Sequence, residues 1–160
     1  MIRIMIFGLF AATVMPFAVC AQLPVGRVAP EIKLPDSLGK WKPLSSVKSK
    51  IILLDFWAAW CDPCIQSMPE LKRLYTAYHD KGLDVYAVSL DKDYRHWVAT
   101  CRRLELPFIL VNDAYGLGGK VSQDYLITSI PNKMLLKDGK VFGADMSLSD
   151  LEKLISNELK

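Results

Sequence analysis

Between Ile51 and Trp57 the chain reads Ile-Ile-Leu-Leu-Asp-Phe-Trp, an almost unbroken apolar run interrupted by a single acid. Successive side chains of a strand point to opposite faces, so a strand of this composition needs cover on both sides. The fold must therefore layer other elements over both faces of a sheet, with this run as a central strand. From Cys64 the period changes: Ile65, Met68, Leu71, Leu74, Tyr75 and Tyr78 recur at three- and four-residue spacing, which predicts a helix ending near Lys81-Gly82. Leu83 to Leu90 reads as the next strand. Tyr94, Trp97, Val98, Cys101 and Leu104 share a second helical face, followed by Pro107 and an apolar strand from Phe108 to Val111. A short helix is expected over Val121 to Tyr125. Two extended runs, Lys133 to Lys137 and Lys140 to Gly143, flank Asp138-Gly139, a strong hairpin signal, and a helix from Ser149 to Leu159 closes the chain. Upstream, Glu31 to Leu34 and Trp41 to Leu44 bracket the turn residues Asp36 to Gly39 and predict a small hairpin. The whole is an α/β chain: one central mixed sheet flanked by helices, with an added N-terminal β-hairpin.

The 160 residues amount to about one domain, and an apolar share of 51% with 23% charged residues excludes a collagen or a disordered tail. A formal charge of +3, from 20 Lys and Arg against 17 Asp and Glu, offers no groove for nucleic acid. Residues 1–21 form a separate unit. One cation, Arg3, precedes the apolar stretch from Ile4, and Val19-Cys20-Ala21 places small residues before Gln22, which is the layout of a cleavable signal peptide. A retained membrane anchor is the weaker alternative, because Ile4 to Val19 is shorter than the roughly 20 residues of a spanning helix. A lipidated Cys20 fits worse still, since Val19 is not the small residue expected there. Each fate puts residues 31–160 in an exported, periplasmic or similar compartment where disulfides persist, with 22–30 as a lead-in linker.

Cys61-Asp62-Pro63-Cys64 lies where the buried strand gives way to the amphipathic helix. Free N–H groups and the positive end of the helix dipole stabilise a thiolate on the first cysteine there, making it nucleophilic near neutral pH. Pro63 suits the first turn, which has no use for its missing N–H. The two-residue spacer lets Cys64 attack a mixed disulfide on Cys61. Cys61 is accordingly the expected nucleophile and Cys64 the resolving thiol. Zinc would need a second ligand pair, which Cys101, His79 and His96 do not supply, so no metal is expected. Asp55 is costly to bury ionised and unpaired, so its pKa should rise; it is then either a proton-exchange partner for Cys64 or a carboxyl satisfied by a nearby Lys or water.

The stretch Leu54-Asp55-Phe56-Trp57-Ala58-Ala59-Trp60-Cys61-Asp62-Pro63-Cys64, with Pro69 five positions beyond, resembles the active-site segment of thioredoxin. The leader, the N-terminal hairpin, the strand end Val88-Ser89-Leu90-Asp91 and Ile130-Pro131 are more similar to the exported TlpA/ResA-type thioredoxins. The resemblance covers about residues 28–158. It implies a thioredoxin fold, thiol–disulfide exchange without a bound cofactor, protein disulfides as substrates and an upstream thiol electron donor, which a membrane could hold. It also implies a cis-proline facing the dithiol, which falls on Pro131, with the Ile130 backbone free to pair with an extended substrate. The spacing from Asp55 to Cys61 matches the family and favours the proton-exchange reading. Exported reductases of this type often carry a glutamate where this chain has Ser67. That leaves Asp55 as the expected sole buried acid and weakens the case for a haem-maturation role.

Trp60 is expected beside the dithiol as an apolar docking surface, Trp57 either there or in the core, and Cys101 as a buried, inert thiol. Two other functions compete. Peroxide reduction on the same fold would want Pro and Thr or Ser before the reactive cysteine, where the chain has Ala58 and Ala59. A metal-delivery or redox-sensing module would bind without turnover.

Overall fold

A computed structural model describes residues 22–144 and 146–160. The signal-peptide reading of residues 1–21, Cys20 included, falls outside the described residues. In chain order the elements are β1 (Lys33–Pro35), β2 (Trp41–Pro43), β3 (Ile51–Trp57), α1 (Asp62–Tyr78), β4 (Leu83–Ser89), α2 (Tyr94–Leu104), β5 (Ile109–Asn112), α3 (Lys120–Asp124), β6 (Asn132–Lys137), β7 (Lys140–Ala144) and α4 (Leu148–Glu158). β1 and β2 form a separate two-stranded antiparallel sheet, the expected hairpin. The other five strands build a mixed sheet in the order β5-β4-β3-β6-β7, with β3, β4 and β5 parallel and β6 and β7 antiparallel. This is a thioredoxin fold with an N-terminal addition.

β3 lies in the middle of that sheet, and its alternation divides the interior. Ile51, Leu53 and Trp57 join the core under α1, α2 and α4, with Met68, Leu71, Trp97, Leu151 and Ile155. Leu54 and Phe56 enter the opposite core, which the N-terminal hairpin region and α3 cover through Ile32, Leu44 and Tyr125. Tyrosine hydroxyls tie the hairpin down: Tyr86 donates to the Lys42 carbonyl at 2.6 Å and Tyr94 to that of Ser37 at 2.7 Å. The Tyr86 ring is fully buried and its polar tip reaches the carbonyl without exposing the ring, whereas Tyr94 makes its contact from the surface.

Residues 22–30 do more than lead in. Leu23 is buried, the Gly26 N–H donates to the Val141 carbonyl at 2.8 Å, and the Val141 N–H donates to that of Arg27 at 2.8 Å. Val28 bridges to Lys140, so the segment covers the free edge of β7. An uncovered edge strand invites pairing with other chains, and two prolines and a glycine do not prevent a short irregular segment from capping it. α1 ends at Tyr78 and passes through a single tight turn, His79–Lys81, to Gly82, whose φ of 113° takes the chain into the left-handed region that a side chain would resist.

Leu53 is fully buried, whereas Leu38 in the hairpin turn is 87% exposed. Leu53→Ala should therefore cost about 2–5 kcal/mol of stability and Leu38→Ala less than about 0.5 kcal/mol, as read from chemical-denaturation midpoints.

Candidate active site

The C-terminal end of β3 delivers the chain to α1 through Ala58, Ala59 and Trp60. Cys61 caps the helix: its backbone is extended, and its sulfur accepts the Cys64 N–H at 3.3 Å. Asp62 and Pro63 begin the helix, where a missing N–H costs nothing. Cys61 and Cys64 form a disulfide with their Cα atoms 5.2 Å apart. Cys64 is completely buried, and Cys61 retains the pair's residual exposure at 5%. Trp60, immediately before it, is 57% exposed, whereas Trp57 belongs to the core.

The loop in front of Cys61 is held from below. Asp91, just past β4, accepts the Ala59 N–H and the Ser89 hydroxyl through Oδ2, both at 2.8 Å. The Asn112 amide donates to Ser89 Oγ and to the Asp91 carbonyl, each at 2.9 Å. Ser89, Asp91 and Asn112 are all buried, and together they lock the ends of β4 and β5 to the loop entering α1. Asp91 and Asp113 are buried besides Asp55, so the expectation of Asp55 as sole buried acid is corrected. Both extra acids lie at strand ends, where free backbone and hydroxyl donors make burial tolerable. The sequence signal for Asp91 was its place directly after an apolar strand, on the strand end shared with the TlpA/ResA type.

Asp55 lies mid-strand and is completely buried. Alternation along β3 puts it on the Leu53 and Trp57 face, the layer that also holds Cys61 and Cys64. Its antiparallel partner on β6 is Lys133, whose Nζ lies 2.9 Å from Asp55 Oδ1. The contact is ionic rather than directional, for neither carboxyl oxygen completes a well-aimed hydrogen bond. Burial pushes the Asp55 pKa up, and the charge and proximity of Lys133 oppose that rise without cancelling it. Lys133 also reaches Ser67 Oγ at 3.3 Å, and the Ser67 hydroxyl donates to the Cys64 carbonyl at 2.8 Å. Sequence reasoning allowed for a neighbouring lysine but could not name it, because the β3–β6 register joins residues far apart in the chain.

The Ile130–Pro131 peptide bond is cis and directly precedes β6. Ile130 is partly buried against both cores, and Pro131 is exposed. Pro131, Asn132, Lys133 and Ser67 line one cavity of about 480 Å³, which reaches from the cis-proline to the first turns of α1. Cys101 is a free thiol buried in the first core, and burial, aided by Asp91, pushes its pKa up to about 12, so it is not a nucleophile near neutral pH. Among the described residues no group of three or more His, Cys, Asp or Glu is arranged to hold a metal.

A dithiol at the N-terminus of a helix, fed by a central strand of this fold, defines a thioredoxin-like thiol–disulfide exchange protein. The chain belongs to the AhpC/TSA family, whose model matches residues 25–152. It is 30% identical to the thiol-disulfide oxidoreductase ResA of Bacillus cereus over 90% of this chain and 77% of that protein. Among solved structures it resembles the thioredoxin domain of a thiol-disulfide oxidoreductase from Bacteroides vulgatus, with a TM-score of 0.80 and 29% identity over 86% of this chain and 99% of that one. A thiol-disulfide oxidoreductase from Bacteroides fragilis superposes with a TM-score of 0.76 at 30% identity, covering 83% and 100% of the two chains. The protein is a thiol–disulfide oxidoreductase.

The raised pKa of Asp55 has a thermodynamic signature. Between the unfolded value, about 3.9, and the folded one, the native state binds more protons than the unfolded state, so stability falls as pH rises through that window. Asp55→Asn should remove this component, leaving a flatter stability profile above about pH 4. Denaturation midpoints of both proteins across a pH series check it; identical profiles would mean that the carboxyl is not penalised by burial.

Proposed function

We propose that the protein works outside the cytoplasm as a reductant of protein disulfides, with Cys61 as nucleophile and Cys64 as resolving thiol. The observation that carries this reading is the asymmetry of the pair: Cys61 caps α1 and keeps the exposure, while Cys64 is sealed behind it. In the reduced protein the Cys61 thiolate attacks one sulfur of the substrate disulfide, forming a mixed disulfide and releasing the first substrate thiolate. Cys64 then loses its proton, and its sulfur displaces the substrate from Cys61. The dithiol gives up two electrons and closes to a disulfide, and the substrate leaves as two thiols.

Asp55 is the proton acceptor for Cys64 in this scheme, supported by its place in the same buried layer and its match in spacing to thioredoxin. Exposed Trp60 supplies an apolar docking surface, and the Ile130 backbone, ahead of cis-Pro131, pairs with an extended substrate segment. A reducing direction is favoured by Asp62, whose negative charge beside Cys61 disfavours the thiolate and so stabilises the disulfide relative to the dithiol. Turnover then needs an upstream thiol donor; the signal-like layout of residues 1–21 supports an exported compartment, where a membrane-embedded donor would meet it. No helix among the described residues is long and apolar enough to cross a membrane. Peroxide reduction is not favoured, since Ala58 and Ala59 before Cys61 offer no hydroxyl to a peroxide.

Cys61→Ser should abolish reduction of insulin disulfides, and Cys64→Ser should accumulate substrate as a mixed disulfide on Cys61, visible on non-reducing gels. Full turnover by Cys61→Ser would overturn the assignment of the nucleophile.

A further inference from the structure

We propose that Leu126 is a specificity-determining residue: its exposed side chain, held at the dithiol end of the sheet, receives an apolar side chain from the protein whose disulfide is exchanged. This role rests on the reading of the protein as a reductant of protein disulfides. It adds the class of substrate, extended segments with apolar residues beside the cysteine.

Leu126 occupies a position that the backbone would assign to glycine. α3 closes with the Leu126 N–H donating to the Gln123 carbonyl at 3.1 Å and the Ile127 N–H donating to that of Ser122 at 2.7 Å. Those two bonds form a Schellman motif, which puts the first residue past the helix cap in the left-handed region. Leu126 has a φ of 57° there, where its Cβ crowds the following carbonyl and a glycine would carry no such penalty. Among the described residues it is the one apolar side chain in that region. α1, by contrast, leads through its tight turn to Gly82.

Core packing does not account for the leucine. It is 45% exposed and belongs to neither core, whereas its neighbours Tyr125 and Ile127 are both buried in the second one. The Tyr125 ring lies against Phe56, centroids 5.4 Å apart, and its hydroxyl donates to the Pro30 carbonyl. Ile127 shares its core with Val121 at the start of α3, the apolar contact that accompanies a Schellman ending. Two buried neighbours and two hydrogen bonds therefore hold a conformation that leucine itself resists, and they present its side chain to the surface.

The place of Leu126 in the fold says what covers it. β6 runs antiparallel to β3 with Asn132 paired to Phe56, so residues 126–131 lie at the end of β3 from which Ala58, Ala59 and Trp60 lead to Cys61. A substrate disulfide must reach Cys61 at this end. Four residues after Leu126 the same segment arrives at Ile130, whose backbone meets the substrate in the proposed scheme. Tyr125 to Pro131 contains no charged residue, and Trp60, on the other loop at this end, is 57% exposed. A neutral, apolar rim offers a charged substrate side chain no partner, while it gains free energy from each apolar group it removes from water.

The test compares two peptides, each closed by one disulfide and differing only in leucine or serine beside the cysteines. The prereduced protein is mixed with each, and the ratio of the two second-order rate constants measures its preference. Wild type should reduce the leucine peptide faster. Leu126→Gly should cut that preference about three- to tenfold, the worth of part of one buried leucine. It should do so without lowering the chemical-denaturation midpoint, a combination that a packing residue would not give. Leu126→Asn, polar but tolerant of the left-handed region, should lose the preference likewise, which separates apolar surface from backbone freedom. Leu126→Met should keep most of it. A wild type indifferent to the two peptides, an unchanged preference in Leu126→Gly or Leu126→Asn, or its loss in Leu126→Met would overturn the proposal. Failure of the underlying reading is distinct: the prereduced wild type would then reduce neither peptide.

Discussion

A strand hydrogen-bonded on both sides and covered on both faces has no freedom to shift register, and β3 is such a strand. It pairs with β4 in parallel and β6 in antiparallel, and its alternate side chains anchor two separate cores. A slip of one residue would exchange the two sets of side chains and drive Asp55 into the opposite apolar core. The position of Cys61 follows from that constraint. Its loop leaves the end of β3, and Asp91 fixes the loop by the Ala59 N–H, so the cysteine reaches the helix N-terminus in one orientation. Burial energy far from the dithiol is thus what aims it.

The same constraint makes the polar interior expensive and specific. Burying Asp55 opposes folding unless a cation answers it, and β6 supplies one from the directly paired position. Asp91 is held differently, by neutral donors at strand ends that reach its Oδ2, while its Oδ1 has no hydrogen-bond partner. One acid is held by charge inside the sheet and the other by hydrogen bonds at its rim. Burial raises the pKa of the first, and Lys133 opposes that rise without cancelling it. The second is suited to anchoring.

Much of this was legible in the residues. The apolar run at 51–57, the helical spacing after Cys64 and the Asp138-Gly139 turn are local patterns; the strands appear within a residue of the expected bounds, while α1 ends at Tyr78, short of the expected Lys81-Gly82, because the chain tightens there into a single turn before Gly82. The cysteine pair announced its chemistry by its place between strand and helix, and the cis bond at Pro131 was expected from resemblance alone. What escaped were pairings across the chain. Lys133 reads as an ordinary polar residue entering a strand, and only the register against β3 turns it toward Asp55. Residues 22–30 likewise read as a linker, since nothing in two prolines and a glycine signals a seat along the β7 edge. Asp91 lay in plain view but without its donor, because the Ala59 N–H comes from another strand's end.

The direction of electron flow is the central claim, and the reduction potential of the Cys61/Cys64 couple tests it most directly. Equilibration with glutathione and dithiothreitol buffers, read by thiol alkylation and mass, should place it nearer to thioredoxin's roughly −270 mV than to the roughly −120 mV of a strong periplasmic oxidant. A value close to the latter would contradict the reductant reading and make the protein a donor of disulfides.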